Sequence, residues 1–107
     1  MKNFDYQKTY KFARAFYELN PLEVEIMDYL FQYDIVEMSI NKLAKAIGKD
    51  VSNIRKALIK LNNRGIVCIV NKYTEDELKE NNIKHNTVEA MYIVDNWIDN
   101  LLNSQEV

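Results

Sequence analysis

The sequence predicts a mainly α-helical domain closed by one small antiparallel β-hairpin. Three observations predict it. Apolar residues recur at helical spacing through most of the chain; the strong breakers are few, and Pro21, Gly48 and Gly65 each fall between periodic segments. Two runs rich in β-branched residues, Ile66 to Lys72 and Val88 to Val94, have the density of paired strands instead. With 107 residues, 48% of them hydrophobic and 28% charged, the chain reads as a single domain over 1–107. A core of that size buries roughly two-thirds of the surface of the unfolded chain, so neither a disulfide nor a metal is required to hold it.

The first element is an aromatic helix over 5–19. It sets Tyr6, Tyr10, Ala13 and Tyr17 on one stripe and Phe12, Phe16 and Leu19 on an adjacent one. A face so wide suits either the chain's own core or a core stripe beside a second stripe that meets another subunit. Asn20-Pro21-Leu22-Glu23 then supplies an amide cap, a proline fit for the first helical position and a carboxylate three residues past the cap. The helix it starts buries Leu22, Ile26, Met27, Leu30 and Phe31, places Glu23, Glu25 and Asp28 on a solvated face, and ends near Tyr33.

Glu37 to Ile40 is long enough for only a fragment of strand. Ser39 caps a helix running to Ile47, and Gly48 stops it. Asp50 caps the next helix, 51–64, whose buried positions are Ile54, Ala57, Leu58 and Leu61, with Gly65 as its left-handed terminator. The two strands that follow pair as a hairpin over 66–94. Their connection, Tyr73 to Thr87, is long for a hairpin, and the capping box Thr74-Glu75-Asp76-Glu77 places a short helix inside it, through about Asn81. A closing helix over 95–104 carries Trp97, Ile98, Leu101 and Leu102 on one face.

Several chemistries are poorly served by these residues. One thiol, Cys68, and one imidazole, His85, do not furnish a four-ligand zinc cage or an intrachain disulfide. Cys68 sits in a dense apolar strand and reads as a small buried filler rather than a nucleophile. No glycine-rich phosphate loop is present, and Glu23, Glu25 and Asp28 read as solvated, so neither catalysis nor a cofactor is expected. The longest apolar run, Ile66 to Val70, is far too short to span a bilayer, and the first residues have no secretory core. The expected address is the cytoplasm.

Charge is strongly segregated behind the net −2. Residues 1–17 carry +3 and residues 18–40 carry −6; residues 41–65 carry seven cations against Asp50 alone, and residues 66–107 return to −5. The cationic block coincides with the two helices joined by the Gly48 turn. The order of helix, short strand, helix, glycine turn, basic helix and hairpin is that of a winged helix–turn–helix. Leu43-Ala44, Ile47-Gly48, Asp50, Ser52-Asn53-Ile54, Leu58, Leu61 and Arg64-Gly65-Ile66-Val67 resemble the MarR-like transcriptional regulators over about residues 21–94.

That resemblance implies double-stranded DNA as partner, with a helix–turn–helix over 39–65 and helix 51–64 in the major groove. Opposite its buried stripe stand Ser52, Lys56, Ile59 and Asn63, flanked by Asn53, Arg55 and Lys60. Ser52 and Asn53 lie in the first turn, where base edges are reached, and an asparagine suits adenine. Lys56 and Arg55 suit guanine or phosphate, while Lys42, Lys49 and Lys60 suit phosphate. Ile59 does not fit a solvated face; a thymine methyl, a partner protein and plain tolerance are all open readings of it.

Two departures from the family stand out. The hairpin connection is acidic, through Glu75, Asp76, Glu77 and Glu80, which repels phosphate. The family's long C-terminal dimerisation helices have no counterpart, so the expected homodimer is assigned to Tyr6, Tyr10, Phe12 and Phe16 together with Trp97 and Leu101. Two other functions share this architecture: a protein-interaction winged helix, and a plasmid or phage replication initiator module. The sequence names no operator and no small-molecule effector.

Overall fold

In the computed structural model, the structure describes Ala15 and residues 17–103. Helix α1 spans Pro21–Leu30, α2 Ile40–Ile47 and α3 Val51–Asn63; strand β1 is Val67–Asn71, α4 Glu75–Glu80, β2 Val88–Ile93 and α5 Trp97–Asn103. Tyr6, Tyr10, Phe12 and Phe16 of the expected N-terminal helix lie outside the described residues. Ala15 and Leu19 are buried in the core, and Tyr17 is exposed.

Local chemistry sets each helix start. The Glu23 N–H donates to Asn20 Oδ1 at 2.8 Å, and the Asn20 N–H donates to Glu23 Oε1 at 2.9 Å, which closes the capping box of α1. Ser39 Oγ accepts from the Lys42 N–H at α2, and Asp50 Oδ2 accepts from the Asn53 N–H at α3. Gly48, at φ 79°, ends α2 in the left-handed conformation that favours glycine.

Three expectations for α1 are corrected. Glu23 is 1% exposed, not solvated, because its reciprocal bond to the cap folds the carboxylate back on a helix end that the core covers. Its second oxygen, Oε2, has no hydrogen-bond partner. Regular helix also ends at Leu30, short of Tyr33: the Gln32 and Tyr33 N–H groups reach three residues back, to Tyr29 and Leu30, in a tightened last turn. Phe31 therefore leaves the buried stripe and is exposed, with its ring edge-on to Trp97 at 5.7 Å between centroids.

The hairpin is antiparallel, pairing Val67 with Ile93, Cys68 with Tyr92, Ile69 with Met91 and Val70 with Ala90, with a bulge before Asn71 meets Val88. On the other edge of β2, Val36 and Met91 exchange both backbone hydrogen bonds at 2.9 Å, so the third-strand rung falls at Val36, one residue before the expected Glu37 to Ile40 fragment, which forms no strand. The core is continuous from α1 through α3 to β2 and α5: Ile26, Met27, Leu43, Ile54, Leu58, Leu61, Met91 and Leu101 are fully covered. Trp97 and Leu101 belong to that core, so the dimer contact assigned to them is corrected to packing within the chain. Cys68 is half-buried rather than enclosed; a hydrogen bond with its thiol holds the Tyr92 hydroxyl above its ordinary pKa.

Gly65, at φ 74°, turns the chain from α3 into β1. A Cβ there would stand 2.9 Å from Asn100 Nδ2, the same group that donates to the Gly65 carbonyl at 2.7 Å. The hydrogen bond ties α5 to the turn that follows α3.

Candidate nucleic-acid interface

Helix α3 is held by Ile54, Ala57, Leu58 and Leu61, all buried, which fixes what its other side presents. Ser52, Asn53, Arg55, Lys56 and Lys60 are all exposed, as are Lys42 and Lys49. Neither α2 nor α3 contains a carboxylate, and the one in the turn between them, Asp50, is spent on the cap. The face is therefore cationic in a chain whose net charge is negative.

The structure does not bring these residues to one spot. Ser52 and Lys56 share the outward stripe with Ile59 and Asn63, opposite the core. Asn53 and Lys49 turn toward α1 and line a depression with Pro21, Leu22, Glu25 and Asp50. There Lys49 Nζ lies 3.7 Å from Glu25 Oε2, both side chains being 47% exposed. A pair so exposed is worth little and yields readily to a phosphate. Lys42 is in the first turn of α2, and Arg55 turns the other way, toward the hairpin.

Between α3 and the hairpin runs a cleft of about 710 Å³. Its floor is apolar, from Ile40, Ile59, Ile69 and Val88, and its polar lining is Arg55, Asn62, Asn71, His85 and Asn86. No carboxylate lines it. Ser39, Asn41 and Thr87 extend the same character into an adjoining depression. Asn62 fixes the spacing: its Oδ1 accepts from the Ile69 N–H at 3.1 Å and ties the last turn of α3 to β1.

The acidic part of the connection does not line this cleft, and a side-chain clamp joins its two ends. Asn86 accepts from the Tyr73 N–H at 3.0 Å and donates to the Tyr73 carbonyl at 2.7 Å, and the Lys72 N–H donates to the Thr87 carbonyl at 2.7 Å. The ladder is effectively prolonged by one rung, and α4 with Glu75, Asp76, Glu77 and Glu80 lies beyond it. Asn71, His85 and Asn86 are the site residues that sequence reasoning missed. The signal was present in part, since the capping box at Thr74 marks where the connection leaves the ladder; where it rejoins depends on Asn86, which has no local signature.

Among the described residues no group of three or more His, Cys, Asp or Glu side chains is placed to hold a metal. No described helix is long and apolar enough to cross a membrane.

No family profile matches the chain, and no curated protein matches it in sequence. Solved structures do. A possible transcriptional regulator from Methanosarcina mazei Go1 superposes with a TM-score of 0.60 at 16% identity, over 99% of this chain and 88% of that one. NolR from Sinorhizobium fredii gives a TM-score of 0.49 at 18% identity, over 99% of this chain and 94% of its own. The first likeness covers nearly the whole chain, and with the element order α1-α2-α3-β1-α4-β2-α5 and the single Val36 rung on β2, the fold is a winged helix–turn–helix.

Proposed function

We propose that this chain is a DNA-binding transcriptional regulator of the MarR-like type, acting as a homodimer that sets α3 of each copy in successive major grooves of double-stranded DNA. One observation carries the reading: the outward face of α3 and the adjoining cleft are both free of carboxylates, although acidic residues outnumber basic ones in the chain. A helix about 10–12 Å across fits the major groove, and a duplex there brings phosphates toward cations on both flanks. Arg55 and His85 meet them on the hairpin side; Lys49, Lys60 and Lys42 meet them elsewhere, with Ser52 and Lys56 toward the bases. The hairpin takes part through Asn71, His85 and Asn86, with α4 held away from the duplex. No catalysis and no cofactor enter this reading.

With Trp97 and Leu101 used by the core, the dimer contact falls to Tyr6, Tyr10, Phe12 and Phe16. Its half-sites then lie about 10 bp apart or a multiple of that.

Titration against duplex DNA at several salt concentrations tests the proposal. About eight phosphate contacts per dimer give a log–log slope on the order of −7. A flat line removes the DNA reading and favours a second one, a protein-interaction winged helix, for which exposed Tyr33 and Ile35 in the α1–α2 connection supply the apolar contact.

A further inference from the structure

Among the described residues, five large apolar side chains are exposed, and four of them, Tyr17, Phe31, Tyr33 and Ile35, precede α2. Ile59 is the fifth. It is 48% exposed and stands on α3, in the outward stripe that Ser52, Lys56 and Asn63 otherwise make polar. Seven residues separate it from Ser52, which puts the two within about 20° of one direction and roughly 10 Å apart along the axis. The buried stripe fixes the roll of α3, so Ile59 cannot be turned away from anything seated on that face.

Ile59 also borders the cleft, whose apolar floor it shares with Ile69 and Val88. The cleft is open there, so the branched side chain keeps a free apolar surface directed between the outward stripe and the hairpin. Its charged neighbours on α3 are Arg55, Lys56 and Lys60, and no carboxylate is on that helix or among the residues lining the cleft. The surroundings thus favour a polyanion, while the side chain itself asks for an apolar group. A major groove offers one such group: the C5 methyl of thymine.

We propose that Ile59 reads thymine, by packing its branched side chain on the C5 methyl group of one thymine in the major groove of each half-site. The proposal rests on the DNA-binding reading and names part of its sequence preference. Cytosine at that position would present its N4 amino donor to a side chain with no acceptor, and adenine its N6 amino donor. Guanine offers only the N7 and O6 acceptors, and thymine's own O4 is no better paired than these groups, so discrimination comes from the methyl contact that thymine alone supplies.

The test uses the full chain and a duplex recovered from it by selection out of a random duplex pool. Deoxyuridine is then placed at each thymine in turn, which removes the methyl and nothing else. The expected result is one thymine per half-site at which the change weakens binding about fourfold, the transfer value of one buried methyl group. In Ile59→Ala that difference disappears, and in Ile59→Val part of it remains. Ile59 is exposed, so neither variant is expected to disturb the fold, and circular dichroism checks this. Salt-dependent binding with no thymine sensitive to its methyl, or with the same sensitivity in Ile59→Ala, overturns the role of Ile59 and leaves the DNA reading standing. Failure to recover any duplex, with a flat salt titration, overturns both.

Discussion

Helices α3 and α4 begin in the same way and end up opposite in every other respect. Each has an oxygen-bearing cap that accepts from the third residue of the helix, Asp50 from Asn53 and Thr74 from Glu77. Beyond the cap, α3 has thirteen residues, four of them buried, and the only charges it carries are cations; α4 has six, none buried, and its first turn is Glu75, Asp76 and Glu77. The difference teaches that a cap decides where a helix starts, while burial decides whether its outer face is fixed in space. A fixed face can present charges in a set arrangement. A helix with no fully buried side chain contributes charge without placement.

The largest effects should come from removing burial on one side of that comparison. Leu58→Ala empties a fully covered position of α3 and is expected to cost about 3 kcal/mol in denaturant unfolding. Leu78→Ala, half-buried on α4, should cost about 1 kcal/mol or less. Next comes the C-terminal end of α3. Gly65→Ala combines a positive φ with a Cβ driven onto Asn100, for a loss of about 2 kcal/mol; Gly48→Ala has the same backbone conformation but open space, and should lose about 1 kcal/mol. A larger loss at Gly48 than at Gly65 would contradict the Asn100 latch.

The caps sharpen the comparison further. Asp50→Ala should lower global stability by about 1 kcal/mol. Thr74→Ala should leave it unchanged and appear instead as faster amide hydrogen exchange within Glu75–Glu80, because α4 opens locally. Smallest of all is Glu25→Gln, which frees Lys49 from its exposed partner. Stability should stay within about 0.5 kcal/mol, and duplex affinity should rise roughly twofold at low salt, a gain lost at high salt.

Much of the fold was legible because its signals are local. Asn20, Ser39, Asp50 and Thr74 each cap the helix that follows, and the stripe Ile54, Ala57, Leu58 and Leu61 is buried as its spacing requires. Spacing shows which residues share a face but not what covers that face. The capping box at Glu23 is visible in the sequence, but its burial is not, because covering of the helix end is a tertiary event. The same limit misplaced Trp97 and Leu101, whose apolar face was correct and whose cover is their own core. Within the candidate site, the cations of α3 could be named from sequence. The cleft could not, since it joins Arg55 and Asn62 to Asn71 and His85 across a ladder whose register only the Tyr73–Asn86 clamp completes.

That clamp has a topological consequence. With the strand ends already pinned to each other at Tyr73 and Asn86, everything from Thr74 to Lys84, short of the cleft residue His85, is an appendage whose length carries no information about the β ladder. Closing a longer or shorter excursion at such a point changes the loop entropy only slowly, by about 0.6 kcal/mol for each doubling. The hairpin therefore has a socket at its tip, where segments of quite different character can be exchanged while the cleft beneath keeps its shape.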